Sequence, residues 1–276
     1  MLALLGYFCF SLADVTAKML TEHYSIYHVT TNNAVSALFL LLIMKAWKGR
    51  EQKLDLIRPH FHFLRGFANF LIAILLVHSF TVMPIADAYT MVFSAPFWAV
   101  LIAMVFYKEH LSRNRIAALL IGFTGIVVAL QPDALLRGNF NLDLLYPMAS
   151  AALIAFMFVS TRSMTKSSAL SLGFIPLCMS GLFSIPLLIA HYEPIAMEHV
   201  PIFAANALLV GAALPCLSVA YSLGQTALIS PLQYSQMVLG ILLGFLIFGD
   251  IPTAHVLLGG GIIIAGGIYL TLSERR

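Results

Sequence analysis

Charge is what this chain has least of. Asp, Glu, Lys and Arg make up 10% of its 276 residues, and hydrophobic residues 61%. Soluble domains carry roughly a quarter charged residues. A water-facing surface cannot be covered with so few, which excludes an ordinary soluble fold. The gaps between charges are more decisive still. None of the four charged types occurs from Gly66 to Ala86, from Ser167 to Tyr192, from His199 to Gly249 or from Ile251 to Ser273. A helix needs about 20 apolar residues to cross ~30 Å of hydrocarbon. The longest gap therefore holds two crossings and a short turn.

Other absences narrow the chemistry. No Walker motif is present, so nucleotide hydrolysis by this chain is excluded, and neither HExxH nor CxxC occurs. Cysteine is scarce: Cys9, Cys178 and Cys216 lie inside apolar segments at no metal-ligand or redox spacing. His60 and His62 form an isolated HxH that reads as part of a solvated loop. The run Gly259–Gly260–Gly261, with Gly266 and Gly267, lies within an apolar span and not after a strand, so it reads as a packing face. No catalytic residue, metal site or cofactor is expected. Nothing basic precedes the first apolar run and no small-residue cleavage site follows it, so Met1 to Leu20 reads as a retained span. The net charge of +3 does not indicate nucleic acid. The basic residues lie in loops beside apolar spans, where they set topology and touch anionic headgroups.

Apolar runs between charges and turn residues predict an all-α, polytopic membrane protein with ten spans: 1–20, 28–47, 63–82, 84–107, 113–131, 143–163, 170–191, 200–222, 228–249 and 253–272. With both termini cytoplasmic, thirteen of the 15 Lys and Arg residues fall inside. Only Lys18 and Arg137 fall outside, which is the asymmetry expected of an inner (plasma) membrane protein. Shifting the chain by 141 residues lays Tyr107-Lys108-Glu109 on Phe248-Gly249-Asp250, Ser94 on Ser235 and Gly125 on Gly266. Two halves follow, 1–138 and 139–276. Each holds an odd number of spans, so the second is inverted relative to the first. Inverted repeats are a recurrent transporter architecture, with the substrate near the midplane between them.

Polar groups inside the membrane are costly unless they face a partner or a wet cavity. Tyr7, Ser11, Asp14 and Lys18 share one face of the first span. Two readings stand: a cavity-lining stripe in which Asp14 takes a cation or a proton, or an Asp14–Lys18 pair with the lysine snorkelling outward. Gln225 on the eighth span, and Gln233 and Gln236 on the ninth, read as cavity groups. Gly240 and Gly244 read as a packing pair. Asp87 starts a face continuing through Met91, Ser94 and Trp98, although three residues after Pro84 it can equally serve the positive end of the helix dipole. Pro96 and Pro231 should bend the fourth and ninth spans. Arg65 reads as a topology anchor first and an anion contact second, and His78 as a hydrogen-bonded core residue.

The stretches Met83-Pro84-Ile85-Ala86-Asp87-Ala88, Phe93-Ser94-Ala95-Pro96-Phe97, Tyr107-Lys108-Glu109 and Ile121-Gly122-Phe123-Thr124-Gly125 resemble the EamA-type transporters of the drug/metabolite transporter superfamily. Asp250 stands where that family usually has Glu, and Met237 where the first half has Pro96. The resemblance implies a central cavity lined by the inner helices of both halves, peripheral fifth and tenth spans, and secondary transport by alternating access. The Pro-x-Ala-Asp-Ala segment is similar to the branch containing S-adenosylmethionine and riboflavin carriers.

The expected function is therefore secondary transport of a small metabolite that is amino-acid-like, S-adenosylmethionine-like, riboflavin-like or drug-like. Proton coupling and a monomer or homodimer in the lipid bilayer go with it. Tyr7, Ser11, Asp14, Ser94, Gln225, Gln233 and Gln236 are the candidate polar lining, and Tyr89, Phe93, Trp98 and Tyr234 the aromatic walls. An integral-membrane enzyme acting on a lipid-linked substrate is the alternative, disfavoured by short loops and scattered acids. A non-transporting sensor is a third reading, against which stands the lack of any soluble effector domain.

Overall fold

The computed structural model describes residues 1–48, 55–108, 112–130, 142–164, 166–223 and 230–273. Among them every regular element is helical. The helices are α1 (Leu2–Thr21), α2 (Ile26–Lys48), α3 (Pro59–Val82), α4 (Ile85–Val92), α5 (Ala95–Tyr107), α6 (Arg113–Ala129), α7 (Leu145–Thr161), α8 (Ala169–Ala190), α9 (Val200–Leu223), α10 (Ser235–Leu243) and α11 (Ala254–Ser273). Counting α4 and α5 as one interrupted span, nine of them coincide with expected crossings to within about four residues, and α10 is the α-helical middle of the expected span 228–249.

Length and apolarity suffice for a full crossing in Leu2–Thr21, Pro59–Val82, Ile85–Tyr107, Leu142–Met164, Ser171–Ala190 and Ala254–Leu272. Shorter apolar helices run over Ile116–Ala129, Val200–Ala213 and Leu232–Phe248. The outer surface fits the same solvent: Phe106, Leu120, Leu208 and Leu246 are each at least 65% exposed. On a water-soluble monomer so large an apolar coat would drive association; in hydrocarbon it is the natural exterior. The molecule is a polytopic helical membrane protein.

The breaks fall where backbone chemistry puts them. Pro96 sits in the first turn of α5, where its missing N–H costs nothing, and the fourth span parts at Phe93–Ser94. In the ninth span Pro231 lies in a 3₁₀ turn (Ser230–Tyr234) ahead of α10, and a π-type turn (Gly244–Phe248) follows it. Two further prolines, Pro176 and Pro186, lie inside α8.

Helix α1 is central, packing against α9, α10 and α3, while α6 and α11 pack on each other. A Cβ at Gly125 would lie 2.8 Å from the carbonyl oxygen of Gly259, so these two backbones touch only because both residues are glycine. The neighbours also pair by a rule. The first span lies on the eighth as the sixth lies on the third, and the third lies on the seventh as the eighth lies on the second. Exchanging each span for the one five later turns each of these pairs into the other.

Candidate functional site

Asp14 lies in the second half of the enclosed helix α1 (Leu2–Thr21). Ser11, Ala13, Val15 and Ala17 around it are all at most 2% exposed. Asp14 itself is only partly buried. The Tyr89 hydroxyl on α4 donates to Asp14 Oδ2 at 2.5 Å. A phenol at that distance fixes the direction in which the acid points.

Tyr89 belongs to a row of buried rings. Its centroid lies 6.3 Å from that of Phe80 and 5.6 Å from that of Phe93. Phe93 in turn meets Tyr234 edge-on at 5.5 Å. Two of the rings lie against glycines. The Tyr89 ring lies on Gly240, and the Tyr234 hydroxyl occupies the space that a side chain at Gly267 would need. A carboxyl group beside π faces is the combination that holds an organic cation, through charge on one side and ring quadrupoles on the other.

Lys18 does not pair with Asp14. Its Nζ donates to Asp250 Oδ2 at 2.6 Å and lies 4.5 Å from the centroid of the Phe248 ring. The positive φ of Gly249, 69°, turns the chain so that Asp250 reaches back to α1. The snorkelling-pair reading of Asp14 therefore fails for lack of its partner. Asp87 lies within electrostatic reach of both Lys18 and Asp250, and its Oδ1 is buried with no hydrogen-bond partner among the described residues.

The remaining expected residues divide. Tyr7 packs with Ala3 and Ala220, and Ser11 Oγ donates to the Tyr7 carbonyl at 3.1 Å. Ser94 is fully buried at the break in the fourth span; its Oγ donates to the Met91 carbonyl and accepts from Trp98 Nε1. Trp98 turns to Phe123 on α6, at 5.5 Å, and away from the ring row. Gln233 and Gln236 are half-buried beside Tyr234. Gln225 lies outside the described residues. The structure thus brings together Ser11, Asp14, Tyr89, Phe93 and Tyr234, and separates Trp98 from them.

Two histidines differ from expectation. His62 is 1% exposed within α3, not solvated, because that helix begins at Pro59 and carries it inward. His78 meets the Tyr146 ring edge-on at 4.4 Å. Asp55, in the loop before α3, caps α8 from outside: its Oδ2 accepts from the Ser168 N–H at 2.7 Å, and its own N–H donates to Ser171 Oγ at 2.7 Å. The Ser168 N–H holds the Asp55 carboxyl below the usual carboxylate range. Sequence reasoning passed over Asp55 and Asn206. An acid in a polar loop and an amide in an apolar run carry no periodic signal; only their partners mark them.

The bundle and its central acid define a class: helical membrane proteins with a buried polar centre enclosed by packed spans. Comparison with known proteins adds a resemblance. Residues 1–131 match the EamA-like transporter family. The chain is 25% identical to the S-adenosylmethionine uptake transporter of Rickettsia conorii over 99% of this chain and 93% of the relative. With that of Rickettsia prowazekii it shares 24% identity over 96% and 90%. With the riboflavin transporter of Rhizobium johnstonii it shares 26% over 70% and 64%. A solved crystal structure superposes with a TM-score of 0.65 at 19% identity, covering 100% of this chain and 96% of the other, a likeness of fold. These findings bear out the resemblance to the EamA-type drug/metabolite transporters.

Proposed function

We propose that this protein is a secondary carrier that moves a small cationic metabolite of the S-adenosylmethionine class across the inner membrane by alternating access. The observation that carries the reading is Asp14: an acid on an enclosed helix, oriented by Tyr89, whose ring begins a row of buried aromatic rings. A sulfonium or ammonium centre would meet the carboxylate, and a purine-like ring the π faces. Relatives named for S-adenosylmethionine uptake align over nearly the whole chain, and those named for riboflavin over 70% of it, which favours the cationic solute. The packing rule that exchanges spans five apart supports two inverted halves, 1–138 and 139–276, and the Lys and Arg distribution supports cytoplasmic termini. Proton coupling would use the same carboxyl, which cannot hold a proton and a cation together.

The test is counterflow of labelled S-adenosylmethionine and of labelled riboflavin in proteoliposomes, with and without a pH gradient, for the native chain and Asp14→Asn. The native protein should exchange the former, and the variant should insert normally and lose exchange or its response to the gradient. Normal flux through Asp14→Asn with an unchanged pH profile would remove Asp14 from the mechanism.

A further inference from the structure

Arg65 on α3 and Asn206 on α9 lie 141 residues apart, the same shift that aligns the halves. Both are inside the protein, at 5% and 0% exposure. Each reaches from the third helix of its own half to the first helix of the other. Asn206 Nδ2 donates to the Ala13 carbonyl at 2.9 Å and to Thr16 Oγ1 at 3.0 Å. Arg65 Nη1 donates to the Met157 carbonyl at 2.5 Å and to Ser160 Oγ at 2.8 Å. In both places the acceptors are a carbonyl and the hydroxyl three residues on. In both, that hydroxyl also donates back to the same carbonyl, at 2.9 Å for Thr16 and 3.1 Å for Ser160. The same closed ring of three hydrogen bonds is built twice, with different side chains.

The two rings lie at opposite ends of the bundle. Asn32, near the start of α2, donates to Asn206 Oδ1 at 2.9 Å, whereas Arg65 lies in the helix that follows the far end of α2. Each ring joins the two halves at one end only. A carrier that exposes its centre to one side at a time needs this arrangement: one seam must part while the other holds.

We infer that Arg65 and Asn206 are reciprocal latches, the first closing the cytoplasmic end and the second the outer end, which open in turn during transport. The inference rests on the alternating-access reading above. The latches are chemically unequal. Arg65 is cationic, and its Nη1 also donates to Thr161 Oγ1 at 2.9 Å, whereas Asn206 is neutral. Hydrogen bonds from a charged donor are roughly twice as strong.

Hydrogen exchange of the full chain in lipid nanodiscs, without solute, tests this. Arg65→Gln and Ser160→Ala should each speed exchange in residues 155–163 by roughly tenfold, and slow it around residues 12–17 and 203–206. Asn206→Leu and Thr16→Val should do the reverse. The slowing at the far end is the decisive readout, since a static tie loosens only its own neighbourhood. Local loosening alone, or no change at either end, overturns the latch assignment. If Arg65→Gln fails to insert, Ser160→Ala, which removes one hydroxyl, carries the test. The measurement involves no transported solute. Loss of reciprocity with intact flux removes the latches and leaves the carrier standing; reciprocity without flux of either solute removes the substrate reading and leaves the latches.

Discussion

Replacing Tyr89 by phenylalanine probes the site with the least disturbance. The ring stays on Gly240 and between Phe80 and Phe93, and only the hydroxyl that donates to Asp14 at 2.5 Å is lost. A hydrogen bond to a charged partner is worth about 1.5–3 kcal/mol, which corresponds to roughly 10- to 150-fold in an equilibrium constant. The carboxyl remains but is no longer aimed, so the loss should fall on solute affinity. The half-saturation concentration for S-adenosylmethionine in counterflow should rise by at least about tenfold, with unchanged insertion. The sharper test is a double-mutant cycle with Asp14→Asn. If the hydroxyl acts only through the acid, Tyr89→Phe should change little once Asp14 is gone. Equal effects of Tyr89→Phe in both backgrounds would refute the idea that this tyrosine positions the carboxylate.

Two other predictions concern the scaffold. Gly259→Ala places a Cβ 2.6 Å from both Ala129 Cβ and the Gly125 carbonyl oxygen. Such overpacking costs about 1–3 kcal/mol, and a lowered unfolding temperature in detergent, with the solute preference unchanged, would register it. Asp55 has its carboxyl held low by the Ser168 N–H. A group depressed in the folded state contributes stability above the ordinary carboxylate range and loses it as pH falls through the depressed value. Limited proteolysis of the loop before α3 should therefore quicken as pH falls below the ordinary carboxylate range, and Asp55→Asn should abolish that pH dependence.

How much of this could be read before any coordinates is decided by physics. Spans were legible because excluding charge from hydrocarbon is a constraint on single residues, visible one position at a time. The interruption at Pro96 was legible for the same reason, being local to one backbone. Asp14 and Tyr89 were each marked as candidates, an acid and a ring in the membrane being costly or large. That the tyrosine would aim the acid could not be read, because their separation along the chain carries no distance. Lys18 shows the opposite failure: spacing on one helix offered Asp14 as its partner, and a turn more than two hundred residues away supplied a better one. Arg65 stands out in the sequence as a basic residue beside a span and Asn206 does not, and the equivalence between them is hidden because it lies in what they bond to. A shift of the chain aligns the positions, but arginine and asparagine share no letter, and the matching hydroxyls lie in other helices.

The glycines beneath the ring row have a consequence for how such a protein could change its diet. A Cβ at Gly267 would collide with the Tyr234 hydroxyl, and one at Gly240 with the edge of the Tyr89 ring. Enlarging either glycine would therefore push a ring out of its place. On the carrier reading, that would reshape the space beside Asp14 from behind the rings, through the smallest residue types in the chain.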